Sequence, residues 1–259
     1  VDEAHLLKVG ASGQTAKLVH EIDQKIFGNT KIHTELDWIM VKSKNVVLIF
    51  SDKQRIRPTN ICKSDILKYS GEFDTRDYYL KTQMRSRGGK KYIDYINGIL
   101  SNRFRPEQKE YFDGFEAKIF DNIKDLSDTI KKRESEYGLA RMVAGFAWKW
   151  KSKKDKNAYD IKIDGMEFRW NSTQDNWIGS KESVNEVGSI YTVQGDDLNY
   201  VGIIIGNDLI YRDGKLIFDR DACVDSGAMK RSQRQVANKE KINEEDILEQ
   251  VLRTYRILM

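Results

Sequence analysis

A chain of 259 residues with 39% hydrophobic content can fill the core of one large or two modest domains, and its two prolines, Pro58 and Pro106, exclude disordered, collagenous and low-complexity classes. The longest apolar runs, 46–50 and 201–205, are strand-sized and far short of the roughly 20 residues of a bilayer span. A net charge of +4 leans only weakly toward polyanion binding, and two cysteines without a partner at metal spacing, Cys62 and Cys223, point to free thiols and a cytoplasmic, reducing location.

Val1 leads directly into Asp2, Glu3, Ala4 and His5, then into a Gly/Ser loop over 10–13 and an apolar-periodic stretch over 16–27 that predicts a helix. A strand is expected to precede Asp2. Residues 45–50 are apolar and β-branched and end in Ser51 and Asp52, the pattern of a central parallel strand with functional groups at its carboxyl end. A second unit opens with a strand expected over 78–83 and a helix over 91–100. Beyond Pro106 the pattern predicts a short strand at 118–120, a helix over 126–137 and a strand over 140–148. Residues 159–170 alternate around Asp164 and Gly165, an Asp-Gly hairpin signal, and predict an inserted β-hairpin. Strands are expected over 187–193 and 200–205, and acidic residues at 243–246 open a closing helix. The alternation implies an α/β fold of parallel sheets with helices on both faces, divided into domains 1–77 and 78–259.

Several groups carry chemistry. Consecutive carboxylates at a strand tip, Asp2 and Glu3, suit a magnesium ligand beside a base for the attacking water. Gln54, in Ser51-Asp52-Lys53-Gln54, could sense a γ-phosphate, although taken by itself the motif reads more plainly as a turn capped by Asp52. Arg85, just past the expected strand at 78–83, is a candidate arginine finger, with a surface ion pair as the plainer reading. Gln194, Gly195 and Asp197 lie in a polar loop between two expected strands, placed at the carboxyl end of the sheet where open α/β sheets bind ligands. Trp148, Lys149, Trp150 and Lys151 begin a lysine-rich stretch with interleaved aromatics. It reads equally as a backbone-and-stacking surface for a nucleic-acid strand or as a solvated rim beside core-facing aromatics. No His/Cys/acidic cluster beyond Asp2 and Glu3 has metal-site spacing, which disfavours a nuclease.

In order, Asp-Glu-Ala-His, Asp-x-Gln, Gln-Met-Arg-Ser, Val-Gln-Gly-x-acidic-Leu-x-Tyr-Val-Gly and Thr-Tyr-Arg-Ile-Leu-Met resemble motifs II to VI of superfamily 1 helicases. More closely they resemble the bacterial and phage Schlafen-like DNA/RNA helicase domains, to which 140–150 and Asp175-Asn-Trp177 are also similar. The resemblance implies a RecA-like P-loop NTPase fold, a partial first RecA-like domain and a nearly complete second one. It further implies an ATP-dependent helicase with ATP and Mg²⁺ as cofactors, and a nucleic-acid partner with DNA favoured over RNA. By resemblance Asp2 binds Mg²⁺, Glu3 is the catalytic base, Gln54 the γ-phosphate sensor and Arg85 the finger, while Gln194, Gly195 and Asp197 couple nucleotide to strand. The chain departs from the pattern at Ser51, Tyr191 and Asp197, where Asp, His and Glu are usual. The phosphate loop Gly-x-x-x-x-Gly-Lys-Ser/Thr does not occur, and the stretch from Gly10 to Lys17 lacks its spacing and order. The expectation is therefore a motor fragment beginning at the Walker B motif, inactive alone. The alternative is a nucleotide-switched nucleic-acid-binding module without unwinding activity.

Overall fold

A computed structural model describes residues 1–10, 16–29, 31–80, 86–103, 111–173 and 175–259. These divide into two compact units, Val1–Tyr79 with Ser226–Arg253, and Leu80–Asp225 with Thr254–Met259. In chain order the helices are α1 (Ala16–Phe27), α2 (Glu35–Lys42), α3 (Lys63–Leu67), α4 (Gly89–Leu100), α5 (Ile123–Tyr137), α6 (Ile190–Val193), α7 (Gln233–Ala237) and α8 (Glu244–Leu258). The strands are β1 (Ala140–Ala144), β2 (Ile161–Ile163), β3 (Met166–Phe168), β4 (Val187–Gly188), β5 (Tyr200–Ile204), β6 (Leu209–Arg212) and β7 (Lys215–Phe218). Among the described residues no helix is long and apolar enough to cross a membrane, and both cysteines are free.

The first unit is built by capped helices around a small core of Val9, Leu36 and Ile61, against which Leu48 and Phe50 pack. The Thr34 hydroxyl accepts the Asp37 N–H at 3.1 Å while the Asp37 carboxylate accepts the Thr34 N–H at 2.6 Å, a reciprocal cap that starts α2. Burial would raise the Asp37 carboxyl, but hydrogen bonds from Lys68, Thr34 and Tyr69 outweigh it and hold the group below its ordinary value. In α3, Asp65 caps the Cys62 N–H at 2.9 Å and pairs with Arg234 at 2.6 Å. Residues 45–50, expected as a central strand, join no sheet. Leu48 and Phe50 face the core, but Val47 is 74% exposed. Their backbone partner is the short segment 1–4: the Ile49 N–H donates to the Val1 carbonyl at 2.9 Å and the Ala4 N–H to the Ile49 carbonyl at 2.8 Å. Glu3, at φ 50°, turns the chain out of the extended region between these two bonds.

The second unit carries a three-stranded parallel sheet in the order β4-β1-β5, so the molecule is a mixed α/β protein. Every residue of β1 is buried, as a central parallel strand requires. Its register pairs Met142 with both Val187 and Gly202. At Gly202 a β-carbon would lie 2.9 Å from Ile130 and 3.0 Å from Leu126, so the missing side chain lets α5 settle directly on β5. Around the sheet Met142, Ile123, Ile130, Ile161, Phe168 and Trp170 form one core. The expected hairpin is present as β2 and β3, with Asp164 at φ 48° and Gly165 at φ 79° in the mirror-image turn that fits strand twist.

Other elements differ from expectation. The strand over 140–148 stops at Ala144, and no strand forms at 118–120 or 78–80; residues 81–83 lie outside the described set. The run 187–193 is strand only at Val187–Gly188, because Ser189 caps a helical turn there. A second hairpin, β6 and β7, forms at Asp213 and Gly214.

The end of α8 is anchored by Tyr255, fully buried, whose hydroxyl accepts the Gly206 N–H at 3.0 Å and donates to Asp208 at 2.9 Å. A β-carbon at Gly145 would meet the Tyr255 ring at 2.6 Å. Burial pushes the Asp208 carboxyl above its ordinary value despite the Tyr255 bond. The folded state therefore favours the neutral acid, and Asp208 costs stability progressively as pH rises through its raised value toward neutrality. Replacing Asp208 with Asn keeps an acceptor for Tyr255 and removes the charge. Denaturant midpoints should show Asp208→Asn at least as stable as the native chain near pH 7, with that advantage shrinking near pH 4; an Asn variant less stable at pH 7 than at pH 4, relative to the native chain, contradicts this. Gly202→Val should lower stability by about 1–3 kcal/mol in the same assay, because α5 must move away from β5.

Candidate nucleotide and nucleic-acid sites

Asp2 and Glu3 sit where residues 1–4 run beside 47–49 in the same direction, so both segments leave the pair at the same end. The Asp2 carboxylate accepts the Glu3 N–H at 2.9 Å. Glu3 adopts the left-handed conformation, at φ 50° and ψ 41°, which costs a residue with a β-carbon about 1–2 kcal/mol. Two contacts hold it there. Its carbonyl accepts the Leu6 N–H at 2.9 Å, and its carboxylate lies 2.9 Å from Nε2 of His5. His5 is 1% exposed; burial lowers its basicity more than the adjacent Glu3 and Asp2 raise it, so the ring favours its neutral form. A neutral His5 with Nε2–H directed at Glu3 donates to the carboxylate and fixes its direction while leaving it acceptor-rich. The arrangement suits a carboxylate base held beside a second carboxylate.

Gln54 closes the short turn Asp52–Gln54 that follows the 47–49 segment and is half-buried. Arg253, belonging to the same unit, donates to the carbonyls of Asp52 at 3.2 Å and Arg55 at 3.0 Å and pins this turn from α8. Its Nε is held by Glu249 at 2.8 Å. Sequence reasoning assigned no role to Arg253 and passed over His5 as part of a motif. Arg85 lies outside the described residues.

The segment carrying Gln194, Gly195 and Asp197 belongs to the second unit. It leaves the carboxyl end of β4 at Ser189 and ends at Asn199, whose N–H donates to the Leu139 carbonyl at 2.9 Å beside the start of β1. The side-chain amide of Asn199 also donates to the carbonyls of Tyr137 and Gly138. Two strands parallel to a common neighbour can be joined only by a crossover from one end of the sheet to the other, so the loop does not lie wholly at the carboxyl end as expected. Gln194 ends α6, Gly195 takes φ 96° with open space around its α-carbon, and Asp197 is exposed.

Beneath α6 lies a polar network. The side-chain oxygen of Asn171 accepts the Ser189 N–H at 2.8 Å and the Thr192 hydroxyl at 2.9 Å, both buried. The Trp177 indole N–H donates to Glu186 at 2.9 Å, and its ring fills the space where a β-carbon on Gly188 would stand, 2.7 Å away. Trp170 donates to the Gly188 carbonyl at 3.2 Å. These residues position the start of the Gln194 segment. Gly188, Ser189 and Thr192 belong to the motif-bearing segment itself; of Asn171, Trp177 and Glu186, only Trp177 carried a sequence signal, through Asp175-Asn-Trp177.

The lysine-rich stretch follows β1. Trp148 and Trp150 are half-buried and pack against the main core, while Lys149 and Lys151 are exposed, as are Lys153 and Lys154. Of the two readings of this stretch, the core-facing one describes the tryptophans. Lys153 covers the Trp150 ring with its ammonium 5.2 Å from the centroid.

The chain is 26% identical over 237 residues to an uncharacterized protein of Saccharomyces cerevisiae, YPL245W; the match covers 82% of this chain and spans 49% of that protein's length. No solved structure matches the chain. The model of the family described as Schlafen group 3, DNA/RNA helicase domain, matches residues 1–259, and the chain belongs to that family.

Proposed function

We propose that this chain forms part of an ATP-dependent motor on nucleic acid, with RecA-like units of the superfamily 1 type. The observation that carries the reading is the Glu3 carboxylate, held in a costly backbone conformation beside Asp2 by a buried, neutral His5. A strained acidic residue with a dedicated hydrogen-bond partner is a structural expense that a water-activating base explains. Membership of a helicase-domain family supports a nucleic-acid partner.

Magnesium fits the residues present. Among the described residues no three His, Cys, Asp or Glu side chains are grouped to hold a metal. Mg²⁺ is held through one or two carboxylates with the rest of its shell from phosphates and water, and the adjacent carboxylates of Asp2 and Glu3 supply donors of that kind. Asp2 would hold it, and the ion would neutralise charge on the phosphates of bound ATP. Glu3 would accept a proton from water, His5 would keep Glu3 oriented, and Gln54, steadied by Arg253, would register the γ-phosphate. Arg85 would supply the finger, and Gln194, Gly195 and Asp197 would link nucleotide state to the strand.

The test is ATP hydrolysis by the full-length protein that carries this chain, with and without single-stranded DNA or RNA. Nucleic acid should stimulate hydrolysis, and Glu3→Gln should reduce the stimulated rate by about 10² to 10⁴ with little change in ATP affinity. Hydrolysis indifferent to Glu3→Gln would remove the proposal. Stimulated hydrolysis without strand displacement would narrow it to a nucleotide-driven switch.

A further inference from the structure

Between β1 and β2 the backbone makes a tight loop, with the Lys154 N–H donating to the Lys151 carbonyl at 3.0 Å and the Asp155 N–H to the same carbonyl at 3.1 Å. Four exposed ammonium groups, on Lys149, Lys151, Lys153 and Lys154, crowd six consecutive residues. Like charges at this density favour an expanded loop unless something internal holds it. That something is Asp160, only 6% exposed. One carboxylate oxygen accepts the N–H of Lys151 at 2.6 Å and of Ser152 at 2.8 Å. The other accepts the Ser152 hydroxyl at 2.5 Å and the Trp170 N–H at 2.8 Å. Four donors satisfy both oxygens, so the negative charge stays buried without an ammonium partner and the lysines keep their charge for something outside. The Trp150 indole N–H joins the same cluster through the Ser152 hydroxyl at 3.1 Å.

The flanking tryptophans are committed elsewhere, and an arginine lies over the exposed Tyr159. Trp148 and Trp150 pack on the core, Lys153 covers Trp150, and the Arg169 guanidinium lies 4.8 Å from the centroid of Tyr159. A preformed cationic loop whose neighbouring tryptophans pack inward matches the sugar–phosphate chain of a strand, a contact that carries no base information.

We propose that the loop 149–154 is a sequence-indifferent phosphate-binding element, and that Asp160 is the positioning residue that holds it in its binding shape. The proposal rests on the nucleic-acid reading above and adds where, and through which chemistry, the strand is held.

The experiment measures binding of oligo(dT) and oligo(dA) of equal length to the full-length protein across a salt series. For the native protein the two affinities should agree within about twofold, since phosphate contacts carry no sequence information. A marked base preference that the loop variants abolish overturns the phosphate-only assignment. The triple variant Lys149→Gln, Lys151→Gln, Lys153→Gln should weaken binding about tenfold or more and lower the salt slope by about 2, at about 0.7 per single-strand phosphate contact. Native affinity and slope in that variant overturn the loop as a nucleic-acid contact, while leaving nucleic-acid binding elsewhere on the protein open to the hydrolysis test.

Asp160→Asn separates positioning from charge by sign. Removing a negative charge beside the lysines should tighten binding if only electrostatics matter, whereas losing the staple should weaken it and lower the salt slope. Equal or tighter binding by Asp160→Asn, with the lysine variant defective, overturns the role of Asp160 alone. Ser152→Ala, which changes no charge, should weaken binding by a smaller factor in the same direction. Should either variant fail to fold, amide hydrogen exchange on the native protein decides the point: the Lys151 and Ser152 N–H groups should be protected without nucleic acid, and rapid exchange there overturns the staple.

Discussion

The second unit depends on burying one strand completely. β1 presents no residue to solvent, so each of its neighbours must supply either packing or hydrogen bonds. The demand is sharpest at Arg141, a charged residue 5% exposed within that strand. Its guanidinium is satisfied by the Ala140 and Ile178 carbonyls, the Ser183 hydroxyl and the Glu134 carboxylate, at 2.7 to 2.9 Å. A buried guanidinium left short of partners would cost several kcal/mol, so this one cation ties α5, the turn 181–185 and the segment before it to the sheet. The parallel pairing of β4 and β5 with β1 explains the crossover: the chain carrying Gln194 and Asp197 has to travel the length of the sheet.

The first unit works on a different principle. Its core is small, and its order comes from side chains that satisfy backbone groups: Thr34 and Asp37 at the start of α2, Asp65 at the start of α3, Arg253 on the turn containing Gln54. Such bonds are directional, and they set the orientation of short segments that apolar packing alone would leave loose. The residues with chemical potential, Asp2, Glu3 and Gln54, lie on those short segments. Their placement is therefore a matter of hydrogen bonding more than of hydrophobic burial.

What the sequence disclosed followed the strength of the local pattern. The helices α1, α4, α5 and α8 and the hairpin at Asp164 and Gly165 were legible because period and turn chemistry agree there. The run 187–193 was misread because Ile190, Thr192 and Val193 favour strands locally; Ser189 and the buried side chain of Asn171, eighteen residues before it, turn them into a helical turn instead. Only tertiary structure supplies that partner. The hairpin at Asp213 and Gly214 bore the same signal as the one that was read and was passed over. Motif order made the catalytic candidates visible, but neither the Asp160 staple nor the contact between His5 and Glu3 has a sequence signature, since each depends on which way a side chain turns.

The left-handed backbone at Glu3 sets local comfort against chemical usefulness. Glycine would adopt that conformation freely, and asparagine with less strain than glutamate, yet neither carries a carboxylate. A selection for heat resistance applied to this protein without regard to turnover would therefore tend to replace Glu3, as it would Leu139 and Lys239, which share its left-handed backbone, and a more robust protein obtained that way would be the poorer guide to what the native one does.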